Sequence, residues 1–226
     1  MEHGRTTQSR RKGSAERSKA LVLERRAAKA HVTPVSQADL FKTETAEQLP
    51  PGFRYRPELI DRAEEKRLLS EFEKLEFAPF EFQGFLGKRR VISFGWRYDF
   101  NKGGLHKAGN IPEFLWPARE RAAQFAGLEP GDLQHVLLTE YPPGSTIGWH
   151  KDRPQFDDVI GISLRSPCTF RFRRKAGAKW ERRSFTAEPR SVYLLHGPVR
   201  TEWEHSIPAV DTQRYSITFR SLKEKR

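Results

Sequence analysis

The sequence contains a single cysteine, Cys168. That excludes an internal disulfide and any cysteine-rich zinc module, and it fits a reducing, cytoplasmic setting. No apolar run approaches the ~20 residues that span a bilayer, and the first residues lack the apolar segment of a secretory signal; no membrane association is expected. Negative charge is also short. Against 41 Lys and Arg stand 29 Asp and Glu, a formal +12 over 226 residues. Such an excess favours polyanions through long-range attraction and counterion release, so nucleic acid is the expected partner, though ribosomal and merely basic proteins share the balance. No internal repeat is found, and the length suits one monomeric domain with a tail.

Residues 1–48 differ in composition from the rest. They are almost free of aromatics and carry "SRRKGSAERSKALVLERRAAKA", which cannot bury enough surface to order itself, so they are expected to form a basic, disordered arm. Residues 49–226 form the expected domain. There "PELIDRAEEKRLLSEFEKLEF" spaces apolar residues along one helical face, with Pro57 in the first turn, and "IPEFLWPARERAAQFAGLEPGD" holds a second helix stopped by Gly127 and Pro130. Between them "FQGFLGKRRVISFGWRYDF" alternates and turns at glycines, predicting hairpins. After Asp132, "LQHVLLTEY", "VIGISLR", "CTFRFRR", "KWERRSF", "SVYLLHG", "EWEHSI" and "RYSITFR" follow as short strands, the signature of an antiparallel sandwich or barrel braced by helices on one sheet. The last is strictly alternating. Arg214, Ser216, Thr218 and Arg220 share one face and Tyr215, Ile217 and Phe219 the other, which predicts one packed layer and one wet, cationic one; an edge strand with arginines in solvent would look the same.

Chemistry concentrates in "GWHKDRPQFDD". His150 and Asp152, one residue apart, leave an extended segment on the same side and could hold a cation between them. His-x-Asp alone is weak. His205, in "EWEHSIP", lies on a later strand that a double sheet can bring across to the pair. Two neutral imidazoles and one carboxylate on one face of a metal leave positions open, as Fe(II) needs when oxygen and a co-substrate must both bind, whereas a structural zinc site would close with a fourth ligand. Nine residues after His205 comes Arg214. A guanidinium beside a metal suits a planar dianion, and a small dicarboxylate meets that need.

The order His-x-Asp, His, then Arg-x5-Arg inside "RYSITFR", with "TEYPPGSTIGWHKD" and "FLGKRRVISFGWRYDF" upstream, resembles the AlkB family of Fe(II)/2-oxoglutarate dioxygenases from about residue 50 to the end. The resemblance implies a double-stranded β-helix, or jelly-roll, core with supporting helices and nucleotide-recognition hairpins. It implies that His150, Asp152 and His205 hold Fe(II), that Arg214 pairs with the distal carboxylate of 2-oxoglutarate, and that Arg220 lies near the co-substrate's metal-bound end. Tyr141 matches a tyrosine that hydrogen-bonds the co-substrate, with Thr139 two residues before it where founding members have Asn. Trp96 matches an aromatic beside the target base, and Tyr98 shares that wall. With 2-oxoglutarate and O2 as co-substrates, the implied reaction hydroxylates an N-alkyl carbon of a flipped or single-stranded base and restores the base, releasing an aldehyde, succinate and CO2.

Two basic clusters predict phosphate contact: Lys88, Arg89 and Arg90 in "GKRR", and "RFRRKAGAKWERRSF" with Arg171 and Arg173. A solvated hairpin is the plain alternative. Founding members carry a further acidic residue two positions after their His-x-Asp, where this chain has Pro154, preceded by Arg153, so base preference does not transfer. Two other readings remain: the same chemistry on tRNA or a protein side chain, and a nucleic-acid-binding barrel that has lost catalysis.

Overall fold

The computed structural model describes residues 49–82, 84–98 and 104–223, with the side chains of 82, 85, 97, 98 and 105 set aside. The expected basic arm, residues 1–48, lies outside them. In chain order the strands are β1 (Phe53–Arg56), β2 (Ala78–Phe82), β3 (Phe85–Phe94), β4 (Trp96–Tyr98), β5 (Leu105–Lys107), β6 (His135–Tyr141), β7 (Ile147–His150), β8 (Phe156–Leu164), β9 (Cys168–Ala176), β10 (Lys179–Ala187), β11 (Val192–Leu195), β12 (Glu204–Ile207) and β13 (Arg214–Leu222). They form a seven-stranded sheet in the order β1-β11-β8-β13-β6-β3-β2, a four-stranded sheet in the order β10-β9-β12-β7, and a separate β4-β5 hairpin. Every pairing is antiparallel. This is the expected jelly roll with a small hairpin beside it.

Two helices cover the outer face of the large sheet. α1 (Arg62–Phe72) starts where the Asp61 carboxylate accepts the Glu64 N–H at 2.8 Å, satisfying one of the donors that a helix leaves open at its start. The start expected at Pro57 is therefore displaced to Arg62: Asp61 supplies a capping oxygen and Pro57 none. α2 (Trp116–Ala126) ends as predicted on Gly127 in the left-handed region, φ 78°, which costs no Cβ clash. Leu68, Phe72, Ala118, Ala122 and Ala123 from the helices pack with Ile160, Ile162, Ile217 and Phe219 of the sheet. A third, one-turn helix, α3 (Pro198–Thr201), precedes β12.

The second core lies between the sheets. Tyr141, Val159 and Tyr193 of the large sheet meet Phe170 and Phe172 of the small one. Gly161 is required there: a Cβ on it would lie 2.1 Å from Cζ of Tyr193. This arrangement corrects the reading of β13. Its polar face is not wet, because the four-stranded sheet roofs it: Arg214 is 0%, Ser216 2% and Thr218 8% exposed, while Ile217 and Phe219 on the other face are also closed at 0%. The alternation separates two interiors.

Candidate metal and co-substrate site

Between the two sheets opens a cavity of about 1200 Å³, lined among others by His135, Thr139, Tyr141, His150, Asp152 and His205. His150 ends β7 directly opposite His205 on β12, so the two rings leave the sheet on one side with centroids 4.2 Å apart. Asp152 follows two residues after the strand ends and brings Oδ2 to 3.5 Å from Nε2 of His205. The Gly148 carbonyl accepts from Nδ1 of His150 at 2.9 Å, which leaves the His150 Nε2 lone pair available to a cation. Burial first, then the charge of His150, pushes the His205 imidazole down to about 3, so it is neutral. Burial pushes the Asp152 carboxyl up, but its electrostatic surroundings, the Arg220 guanidinium foremost, override it and hold it well below the ordinary carboxylate range.

The donor set fits a ferrous ion in chemistry: two imidazoles and one ionised carboxylate on neighbouring elements. Among the described residues, no three His, Cys, Asp or Glu side chains are already drawn together closely enough to grip an ion.

Two arginines that the sequence did not single out as a pair hold Asp152. Arg220 donates from Nε at 3.1 Å and Nη2 at 3.0 Å to Oδ1, which leaves Oδ2 facing His205. Its Nη1 lies 3.3 Å from Nδ1 of His135, buried in the same cavity. Arg200, 7% exposed on α3, donates to the carbonyls of Asp152, Arg153 and Phe156. Thus Arg220 meets a carboxylate of the protein itself. Arg200 gave no signal in the sequence, since its partners are backbone oxygens of a loop. His135 did: it shares the inward parity of Thr139 and Tyr141 on β6.

Arg214 lies deeper. Its Nε donates to Oγ of Ser163 at 3.1 Å, and its guanidinium carbon rests 4.6 Å from the centroid of the Tyr141 ring, whose hydroxyl is 3.4 Å from Oγ of Ser216. Both terminal nitrogens are buried without a hydrogen-bond partner among the described residues. Such a group costs several kcal/mol unless an anion meets it. A carboxylate matches its two parallel donors. Arg214 is not itself on the cavity wall; Tyr141 and Thr139, which are, form the wall beside it.

The expected nucleic-acid contacts divide. Arg89 lines the cavity, with its guanidinium carbon 3.7 Å from the centroid of the Phe80 ring and a hydrogen bond to Thr146 O at 3.1 Å. Lys88 is exposed. Arg90, on the other face of β3, pairs with Glu140 at 2.5 Å. Trp96 pairs with Lys107 across the β4-β5 hairpin and is not among the residues lining this cavity; the Tyr98 side chain lies outside the described residues. The positive charge of the β9-β10 hairpin is partly met internally: Arg173 by Glu204, Arg174 by Glu181 and Glu202, Arg183 by Glu181. Arg171 and Arg173 lie against Trp149, 5.1 and 4.5 Å from its ring centroid, a residue the sequence reading passed over although it adjoins His150.

Comparison with known proteins follows the same lines. Residues 80–220, more than half of the chain, match the model of the 2OG-Fe(II) oxygenase superfamily. The chain is 30% identical over 182 residues to an Arabidopsis thaliana protein named "Alkylated DNA repair protein ALKBH8 homolog", covering 70% of this chain and 51% of that protein. It is 30% identical over 113 residues to the Danio rerio "Probable RNA/DNA demethylase ALKBH6", covering 50% and 46%. It thus spans about half the length of these curated relatives. Among solved structures, OsALKBH1 superposes with a TM-score of 0.58 at 16% identity, covering 76% of this chain and 99% of that one, and a Pseudomonas putida prolyl-4-hydroxylase with 0.54 at 12%, covering 77% and 94%; these two establish the fold. The chain belongs to the 2OG-Fe(II) oxygenase superfamily, whose members use Fe(II), 2-oxoglutarate and O2, and within it is similar to proteins of the AlkB family.

Proposed function

We propose that this dioxygenase removes N-alkyl groups from nucleic-acid bases, restoring the base and releasing an aldehyde, succinate and CO2. The observation that carries the co-substrate half is Arg214, whose two buried, unpartnered nitrogens suit the far carboxylate of 2-oxoglutarate. The +12 charge, the cavity-lining Arg89 and the relatives whose names speak of alkylated-DNA repair and RNA/DNA demethylation support the nucleic-acid half.

In this reading His150, Asp152 and His205 hold Fe(II), which when loaded with 2-oxoglutarate and O2 supplies the oxidising chemistry. The protein's share is positional. Arg220 fixes Asp152 through Oδ1 and keeps Oδ2 facing His205. Gly148 O holds the Nδ1 proton of His150. Arg200 fixes the loop that carries Asp152. Arg214 orients the co-substrate, with Thr139 and Tyr141 beside it. A base stacked in a duplex cannot reach a cavity between two sheets, so the target base is extruded or single-stranded.

The test is anaerobic loading with Fe(II) and 2-oxoglutarate, then exposure to air with methylated and etheno-bridged oligonucleotides, single and double stranded, and with a methylated peptide. Mass spectrometry should find base restoration with matching succinate. Peptide turnover with no change in any oligonucleotide would refute the substrate class.

A further inference from the structure

We infer that the outer face of the four-stranded sheet is a platform for single-stranded nucleic acid, along which the strand runs after its target base enters the cavity. This rests on the nucleic-acid reading above. The face is defined by register. Arg171 and Arg173 on β9 stand opposite Ser206 and Glu204 on β12, and opposite Ser184 and Arg182 on β10. Directly opposed residues share a face. Among these cross-strand neighbours and the next pair, Lys175 with Trp180, Glu204 is the sole carboxylate.

Three features make this more than a solvated hairpin. First, Arg173 and Arg182 are directly opposed like charges, and the carboxylate that meets Arg173, Glu204, lies on its β12 side, so among the described residues no carboxylate pairs with Arg182 on the β10 side. Second, both inner arginines are held from behind. Arg171 spends Nε on Oγ of Ser206 at 3.1 Å, and Arg173 spends Nε on Glu204 at 2.5 Å. Arg173 also sits 4.5 Å from both the Trp149 and Trp180 ring centroids. Their terminal nitrogens make no hydrogen bond with the described residues, so two oriented forks are left for phosphate oxygens. Third, the platform begins at the cavity: Trp149 is in the cavity lining and precedes His150. Three strand spacings of ~4.8 Å separate β7 from β10, about 14 Å, or about four stacked nucleotides at 3.4 Å each. Guanidinium planes and indoles near an extruded base suit neighbouring bases free to stack, which a single strand offers and a closed duplex does not.

The test measures binding of unmodified, labelled 20-mers, single-stranded and duplex, to the full chain by fluorescence anisotropy across a salt series. Arg171→Ser with Arg182→Ser is compared with a remote pair of equal charge, Arg62→Ser with Lys66→Ser on α1. The single strand should bind more tightly than the duplex. The platform variant should flatten the slope of log K against log salt by about 1.4 and weaken binding about 25-fold at 0.1 M relative to 1 M salt, at about 0.7 per lost contact; the remote variant should hold the wild-type slope. Trp180→Leu should weaken binding with the slope unchanged. Equal losses in the two charge variants, a wild-type slope in the platform variant, or a preference for duplex would overturn the platform and leave the proposed activity standing. Binding to phosphatidylserine vesicles but to no oligonucleotide would overturn it too, and the lesion-turnover assay would then decide the activity separately.

Discussion

Replacing Arg214 with Met should make the ligand-free protein more stable and abolish its response to 2-oxoglutarate. The guanidinium is fully buried, with one nitrogen on Ser163 and two without a hydrogen-bond partner among the described residues. Exchanging buried ionic groups for apolar ones of similar size is often stabilising by about 1–4 kcal/mol, and the deficit is greatest for a charge without a counter-ion. Ser163 does not become an orphan in exchange, since its Oγ also donates to Ala187 O at 3.5 Å. The stacking of Arg214 on Tyr141 is lost, which offsets about 1 kcal/mol. A net gain of about 2 kcal/mol corresponds to about 4–8 °C in Tm for a domain of this size. In the wild type, 2-oxoglutarate at 100 times its Kd should add about 2.7 kcal/mol, or about 5–10 °C; in the variant this increment should vanish. Scanning calorimetry on metal-loaded protein under nitrogen, with and without co-substrate, reads both. A variant less stable than wild type, or one that keeps the co-substrate shift, would show that the orphaned nitrogens are satisfied otherwise and that the dicarboxylate does not sit on Arg214.

Other consequences follow from the same geometry. His150→Ala should reduce succinate formation by more than the roughly 100-fold that loss of an outer-shell partner costs, and normal turnover would remove His150 from the ligand set. Arg220→Gln should weaken Co(II) affinity about 10- to 100-fold in an optical titration, because it releases Oδ1 of Asp152; unchanged affinity would leave Arg220 without a positioning role. Arg200→Gln strips three carbonyls of their buried donor and should cost at least about 2 kcal/mol in urea unfolding. Burial pushes the Glu140 carboxyl up, but hydrogen bonds from Arg90 and Tyr215 outweigh it and set it below the ordinary value. Its contribution is therefore present above the unfolded pKa and is lost as pH falls through the lower folded one. Wild type and Glu140→Gln should differ in stability at pH 7 and converge below about pH 4; a constant gap would place the effect in packing instead.

What the sequence discloses depends on whether a partner is periodic or incidental. β13 was legible because a period of two separates Arg214, Ser216, Thr218 and Arg220 from Tyr215, Ile217 and Phe219, and both sets pair with neighbours as that period demands. Whether the polar set faced water was not legible, since that depends on a second sheet folding over it. Parity separates Arg89 from Arg90 on β3, but the partnership of Arg90 with Glu140 depends on β3 pairing with β6, which an alternation within one strand does not disclose. Helix α2 was bounded correctly because Gly127 acts locally, whereas α1 began five residues after Pro57 because a capping carboxylate outranks a permissive proline. Trp96 could not be placed: a resemblance carries an aromatic to a hairpin but not the angle at which that hairpin meets the cavity.

The two arginines of β13, Arg214 and Arg220, share a pattern in the sequence but not a role in the structure. Both lie on the inward face of one strand, six residues apart and hence about 20 Å along it, yet they solve opposite electrostatic problems. Arg220 has a protein carboxylate, so its charge is already balanced and its effect is to orient Asp152. Arg214 has no carboxylate partner among the described residues, which is why the far carboxylate of the co-substrate is proposed to balance it. A pattern of letters cannot distinguish a completed ion pair from an open one. The distinction nevertheless separates a positioning residue, whose loss disorders a ligand, from a binding residue, whose loss stabilises the empty protein while removing the reason for the cavity beside it.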